Sequence, residues 1–202
     1  MVSRAPLVAT ASALAILLAA CMPAGSPSPS VPSNPASPTV TSAMPAPTPT
    51  ETWSAVERDA IDAVDAYRDA GLRIENNPAA FTERQMRAVL TAVAGPDVVK
   101  ANVGSYLNLK KRGFRYAGTV LPLMTTSHGA TDLGYGTQVI VTRCNDQRAL
   151  KVLDRDGREV DEATLGYKVP KFNMRQYVVE KRKRDERFRV YGIGSASGSC
   201  GS

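Results

Sequence analysis

Histidine and cysteine are scarce in this sequence, which contains one histidine and three cysteines among 202 residues. A structural zinc site needs four ligands, usually from cysteine, histidine or acidic side chains. His128 is separated in the sequence from both Cys144 and Cys200. The sequence also lacks a Gly-rich phosphate loop, an HExxH helix and a G-x-S-x-G nucleophile elbow. We therefore predict neither a metal site nor a cofactor.

The residue types of acid-base and nucleophilic catalysis are present, but not in a catalytic pattern. His128 lies in the stretch TTSHGATDLGYG, whose composition predicts an exposed turn between strands. Ser127 precedes it, but adjacency in the sequence does not create the geometry of a triad. Asp62, Asp65 and Asp69 fall on a predicted helix among residues of mixed charge, which indicates solvent exposure. The sequence thus predicts no catalytic residues and a protein that is not an enzyme.

A strong excess of charge of one sign is also missing. The formal net charge is +6, and it becomes about +5 when Arg4 leaves with an N-terminal signal. A bias that is small and dispersed does not predict nucleic-acid binding. It favours contact with acidic lipid headgroups or anionic wall polymers, so we expect an envelope protein or an anionic envelope component as partner.

The longest apolar run is at the N-terminus. Residues 1–20 have the basic start and apolar run of a secretory signal, too short to span a bilayer comfortably. Residues 18–21 (Leu-Ala-Ala-Cys) resemble the bacterial lipobox, which predicts that Cys21 is acylated and becomes the N-terminus. The alternative is ordinary cleavage near Ala20 or Ala24, leaving a free thiol. Acylation predicts a protein anchored on the outer face of the bacterial cytoplasmic membrane.

Proline then dominates residues 21–52, where nine prolines alternate with serine, threonine and alanine. Such a segment has little apolar surface to bury and is expected to stay extended or disordered. As a tether it could hold a domain up to roughly 90 Å from the lipid, at about 3.1 Å per residue. A recognition peptide for a proline-binding domain, or a glycosylated stalk, is the competing interpretation.

Two cysteines remain after Cys21, and an even pair in an exported protein predicts a disulfide between Cys144 and Cys200. The loop of about 55 residues between them would add roughly 4 kcal/mol of stability by the chain-entropy model.

Residues 53–202 are long enough for one domain. Three helices are predicted first: one from the Ser54-x-x-Glu57 capping box to Gly71, one from Thr82 to Gly95, and one from Asp97 to Gly113. Short β-branched and aromatic runs follow. The predicted strands span residues 116–124, 137–144, 149–154, 167–169, 174–180 and 187–193. Helices followed by an antiparallel sheet indicate the α+β class.

The stretch YVVEKRKRDERFRVYGI, from Tyr177, predicts a final hairpin with a solvated turn over residues 181–186. Its basic residues could contact an anionic partner. They are Lys181, Arg182, Lys183 and Arg184. A soluble hairpin end that protects an edge strand is the alternative.

Three segments, AVERDAIDAVDAYRDAG, RCNDQRALKVLDRDGREV and ERFRVYGIGSASGSC, resemble the nuclear-transport-factor-2-like lipoproteins of actinomycetes and their temperate phages. The resemblance implies three helices packed into the concave side of a bent sheet, which together form a cone. It also implies a possible homodimer and, from the phage relatives, a role in superinfection exclusion. The sequence departs from such domains at Phe188, where they often carry tryptophan.

Two functions then compete for the domain. A non-catalytic interaction module would fill the cone with apolar side chains, whereas a small-ligand carrier or an isomerase- or dehydratase-like enzyme would keep a cavity with polar groups of shifted pKa. Candidates for the filling favour the interaction module. They are Met86, Leu90, Val99, Tyr106, Leu107, Leu121 and Leu123.

Overall fold

The computed structural model describes residues 52–197 and Cys200. The predicted signal peptide, Cys21 and nearly all of the predicted tether therefore lie outside the described residues. The elements begin with three helices and end with strands. The helices are α1 (Ala55–Glu75), α2 (Glu83–Thr91), α3 (Pro96–Arg112) and the single-turn α4 (Glu162–Leu165). The strands are β1 (Arg115–Ala117), β2 (Leu121–Asp132), β3 (Gly136–Asp146), β4 (Lys151–Leu153), β5 (Phe172–Arg182) and β6 (Arg189–Ser195).

Helix α1 begins at the predicted capping box, in which Ser54 and Glu57 satisfy each other's backbone N–H groups. Its predicted end at Gly71 is wrong, because the helix continues for one more turn to Glu75. Gly71 is buried, and a Cβ atom there would lie 2.9 Å from the Tyr106 hydroxyl oxygen. This glycine therefore allows α3 to approach α1 closely and does not end the helix.

The other two predicted helices are present, although α2 ends at Thr91 and not at the predicted Gly95. Thr82 and Gln85 form a second capping box at the start of α2. Helix α3 begins with Pro96, a residue whose fixed φ suits the first helical position. It ends at Gly113, whose φ of 72° lies in the left-handed region that glycine adopts without strain.

The sheet is antiparallel, with strand order β2-β3-β5-β6, and β1 and β4 form a separate two-stranded ribbon. The predicted strand over residues 116–124 is split between β1 and β2. The turn predicted around His128 is wrong, because residues 121–132 form one strand whose hairpin turn follows it. The strand predicted over residues 167–169 is also wrong; these residues follow α4 as a loop. Tyr167, Lys168 and Val169 instead line a cavity beside α1 and α3.

The core lies between the helices and one face of the four-stranded sheet. Of the predicted core residues, Met86, Leu90, Val99 and Tyr106 are buried and Leu107 is partly buried. The expectation for the other two is wrong: Leu121 and Leu123 lie on edge strand β2 and are 57% and 52% exposed. The α+β class is confirmed.

The predicted disulfide is confirmed, joining Cys144 of β3 to Cys200. Cys144 is fully buried, so the bond fixes Cys200 against the sheet. Among the described residues, no helix combines the length and the apolar character needed to cross a membrane.

Candidate ligand-binding cavity

The side of the sheet that faces the helices changes from apolar to polar along its length. Every second residue of β3 and of β5 has its side chain on this side of the sheet. There, each such residue of β3 lies directly opposite one of β5. The facing pairs, from the apolar to the polar end, are Val139 with Val179, Val141 with Tyr177, Arg143 with Arg175, and Asn145 with Asn173. Because polar groups are seldom directed towards a core unless they are paired, the polar end needs an explanation.

The polar end of the sheet forms one wall of a cavity of about 690 Å³. Helices α1 and α3 form the facing wall, through residues that include Arg68, Glu75 and Asn102. The loop of residues 167–170 and the ribbon residue Tyr116 also line it. A volume of this size is typical of sites that hold small organic molecules.

Six of the seven tyrosines of the sequence line this cavity. They are Tyr67, Tyr106, Tyr116, Tyr167, Tyr177 and Tyr191. Asn102 Nδ2 donates a hydrogen bond of 2.8 Å to the Tyr67 hydroxyl, and the hydroxyls of Tyr116 and Tyr167 are 3.0 Å apart. The rings of Tyr67 and Tyr177 pack edge to face with centroids 6.2 Å apart. Tyr67, Tyr106 and Tyr177 are almost completely buried, so the less buried Tyr116, Tyr167 and Tyr191 offer ring surface and hydroxyl groups to the cavity.

Burial raises the pKa of several of these tyrosines further above the neutral range. It raises the pKa of Tyr67 to about 12, against a smaller lowering effect from Asn102. Burial is also the main cause that raises the pKa values of Tyr106, Tyr116 and Tyr177. Neutral phenols can both donate and accept hydrogen bonds, so the lining suits a polar ligand at neutral pH.

Glu75 contributes a carboxyl group from the last turn of α1. Burial raises its pKa, and the nearby Arg68 and the Tyr106 hydroxyl oppose this only in part. The protonated form of Glu75 is therefore favoured more than in an exposed glutamate, and in that form the group can donate a hydrogen bond.

Two arginines face each other on the polar part of the sheet. Arg143 is only 4% exposed; it forms an ion pair with Asp65 of α1 and donates a hydrogen bond of 3.2 Å to the Thr125 hydroxyl. The predicted solvent exposure of Asp65 is confirmed, since its side chain is 53% exposed, and the same carboxylate also neutralises the buried guanidinium of Arg143. Arg175 lines the cavity and has no acidic partner within the described part of the chain.

The residues weighed for catalysis are not brought together. His128 lies in β2, exposed, with Nε2 3.1 Å from the hydroxyl of Thr142, on the sheet face opposite Val141 and Arg143. Ser127 Oγ accepts a hydrogen bond from the backbone N–H of Gly129. Among the described residues, no group of three or more histidine, cysteine or acidic side chains could hold a metal ion.

Two of the four basic residues of the last hairpin lie in a strand and two lie in the turn. Lys181 and Arg182 belong to β5, so the turn begins at Lys183 and not at Lys181 as predicted. Arg182 is held by Glu180, 3.1 Å from its Nε, and by the Tyr191 ring, 3.9 Å from its guanidinium carbon. Lys183 and Arg184 are exposed and have no ion pair in the part of the chain that the structure describes.

The sequence contained a signal for the cavity that the initial interpretation missed. Arg143 and Asn145 occupy the same alternating positions as the core residues Val139 and Val141. A strand whose inward positions change from valine to arginine and asparagine indicates the point where a core becomes a cavity.

No protein-family model matches this sequence, and no curated protein matches it. The structure is similar to the intermembrane-space region of the chloroplast protein ARC6, with 13% identity and a TM-score of 0.48 over 70% of this chain and 96% of that chain. It is also similar to a de novo designed β-sheet protein, with 17% identity and a TM-score of 0.31 over 72% of this chain and 95% of that chain. Similarity at this level identifies neither a family nor a function.

Proposed function

We propose that the protein is an exported lipoprotein whose folded domain binds a small polar molecule in the tyrosine-lined cavity. One observation carries the proposal: six tyrosines and the polar end of the sheet line a cavity of about 690 Å³. Side chains such as Asn145, Asn173 and Arg175 would be costly to direct inward if they only filled a core. Binding without catalysis is proposed because the lining offers no nucleophile-base pair of the kind used in covalent catalysis.

The polar groups around the cavity favour a ligand-binding domain over an interaction module. A cavity with polar groups of shifted pKa is typical of a ligand-binding domain. Glu75 and several tyrosines have raised pKa values around such a cavity. Leu121 and Leu123, expected in an apolar filling, are on the surface.

Helices covering one face of an antiparallel sheet, with a cavity at one end, fit the nuclear-transport-factor-2-like cone that the sequence resembles. We propose that relationship on this basis. Acylation at Cys21, display outside the cytoplasmic membrane and a role in superinfection exclusion stay predictions, supported by the sequence alone.

The test is a cavity-filling substitution with a matched control. Ala101 of α3 is exposed and lines the cavity, and Ala88 of α2 is also exposed but does not line it. In a ligand-observed NMR screen of small aromatic and hydroxylated compounds, we expect wild type and Ala88→Trp to bind the same compounds and Ala101→Trp to lose them. A screen without binders, or binders that Ala101→Trp retains, would refute the proposed site.

A second function is favoured by the position of the basic hairpin. Lys181 and Arg187 line one groove together with Asp59 and Asp62, which belong to the first two turns of α1. The last hairpin thus lies beside the first turns of α1. A weak contact with an anionic envelope surface would suffice there, because tethering gives effective concentrations in the millimolar range.

This second function predicts salt-dependent binding of the domain to vesicles that contain phosphatidylglycerol. The double substitution Lys183→Gln and Arg184→Gln should weaken that binding. The double substitution Lys100→Gln and Lys111→Gln changes the net charge equally on exposed positions of α3 and should weaken it less. Equal losses for the two variants would show that only net charge matters.

A further inference from the structure

We propose that the ligand of the cavity is an anion, a carboxylate or phosphate group carried on a ring-bearing small molecule, and that Arg175 and Arg68 bind this group. The inference rests on the proposed function and adds the chemical class of the ligand.

The first argument concerns the two facing arginines of the sheet. Arg143 and Arg175 are directly opposite each other on neighbouring antiparallel strands. Like charges in this position destabilise a sheet. Asp65 forms an ion pair with Arg143, whereas Arg175 forms no ion pair with any described residue. An anion bound at Arg175 would remove this cost, and arginine is the side chain best suited to hold a carboxylate or phosphate through two hydrogen bonds.

The second argument concerns the charge of the remaining lining. Arg68 and Lys168 add two further cations, from α1 and from the loop of residues 167–170. The acidic lining residues are Glu75 and Asp97. Three cationic lining residues, Arg68, Lys168 and Arg175, thus face two carboxyl groups, and burial disfavours the charged form of one of these, Glu75. The lining therefore carries an excess of positive charge.

The third argument concerns the groups beside the arginines. Asn145 and Asn173 face each other one step further along the same side of the sheet, and both line the cavity. The rings of Tyr67 and Tyr177 are buried beside Arg175, whereas the partly buried Tyr116 and the 44% exposed Tyr167 line the same cavity from β1 and from the loop of residues 167–170. An anion bound at Arg175 would thus have amide donors beside it and, in the same cavity, less buried rings against which a cyclic body can pack.

The experiment uses small probes that differ in charge but not in ring size. Binding of benzoate, phenyl phosphate and neutral benzamide is measured by ligand-observed NMR on wild type, Arg175→Gln, Arg68→Gln and the control Arg158→Gln. Arg158 is exposed in the turn after β4, outside the cavity. We expect at least one acid to bind more tightly than benzamide, and each cavity substitution to weaken that acid about 10- to 100-fold, as for the loss of a hydrogen bond to a charged group. The acid that binds best distinguishes a carboxylate site from a phosphate site.

Stability gives a readout that a merely structural role would not produce. Without ligand, Arg175→Gln should unfold at an equal or higher urea concentration than wild type, because the substitution removes repulsion between facing arginines. A structural role for Arg175 predicts a loss of stability instead.

The outcomes separate this inference from the proposed function. Benzamide binding as tightly as both acids, with no effect of Arg175→Gln, overturns the anion site and leaves a cavity for neutral ligands. Failure of all three probes, together with a marked loss of stability in Arg175→Gln, overturns the anion site and removes the main support for ligand binding as well.

Discussion

At the scale of single residues, the informative side chains are polar ones that occupy core positions. Arg143 shares its side of the sheet with Val139 and Val141, yet it is almost completely buried. Its burial depends on Asp65, which reaches it from α1. No local pattern in the sequence reveals this pair, because its members are 78 residues apart and belong to different kinds of element.

Asp65→Asn should therefore destabilise the fold. The substitution leaves the guanidinium of Arg143 buried without its counter-ion, which we expect to cost about 1–3 kcal/mol. Asp69→Asn, an equal change at an exposed position of the same helix, should have a much smaller effect. Urea unfolding of both variants measures the difference, and equal free energies of unfolding would show that the ion pair contributes nothing.

Glu75 makes stability depend on pH. Arg68 of α1, the hydroxyl of Tyr106 on α3 and, more weakly, Tyr67 and Tyr116 act on or lie near this carboxyl group. Its pKa is raised above its ordinary value of 4.5, so the folded state binds a proton more tightly than the unfolded state. The stability that this proton contributes is complete below pH 4.5 and is lost as the pH rises through the folded-state pKa.

The stability of Glu75→Gln relative to wild type should therefore increase steadily as the pH rises from 4.5, because only wild type must bury the charged carboxylate. Thermal unfolding across a pH series measures this difference. The same substitution at the exposed Glu162 is the control. A difference between wild type and Glu75→Gln that does not change with pH would show that the carboxyl group has the same pKa in the folded and unfolded states.

At the scale of elements, the helices were predictable because their ends carry local chemistry. Ser54 and Thr82 each accept a hydrogen bond from a free backbone N–H at the start of a helix, and Gly113 ends α3. All three act through contacts within a few residues. The exception is Gly71, whose role depends on Tyr106 of another helix. The strands were less predictable: the loop of residues 167–169 has β-branched and aromatic residues because it lines a cavity, and not because it pairs with a strand.

Substitution of two helical glycines tests this difference. Gly104 lies on the exposed side of α3, and a Cβ atom there meets nothing within 4 Å. Gly104→Ala should therefore stabilise the protein by up to about 1 kcal/mol. Gly71→Ala should stabilise less or destabilise, because its methyl group must displace the Tyr106 hydroxyl, and it should also weaken ligand binding. Equal gains in both variants, with binding unchanged, would contradict the close approach of α1 and α3.

At the scale of the whole molecule, the α+β class and the disulfide followed from the order of patterns and from the count of cysteines. The cavity did not, because its lining comes from α1, α3, β1, β3, β5, β6 and the loop after α4. Only the assembled fold brings these groups together. The sequence alone, however, predicts where the molecule is attached.

Cys21→Ala should release the full-length protein from membranes. Without the thiol no acyl chain can be attached, and acyl chains contribute about 0.8 kcal/mol per buried methylene to anchoring. Fractionation of cells that express wild type or Cys21→Ala, followed by mass analysis of the N-terminal peptide, measures both location and acylation. Unchanged membrane retention of the variant would refute Cys21 as the anchor.

The most direct test of the central claim, that the cavity binds a small molecule, is native mass spectrometry of the full-length protein gently extracted from its own host membrane. The account predicts a bound small molecule of defined mass on wild type and on Ala88→Trp, and its absence from Ala101→Trp. A wild-type protein with no added mass beyond its own modifications, or the same added mass on Ala101→Trp, would contradict it.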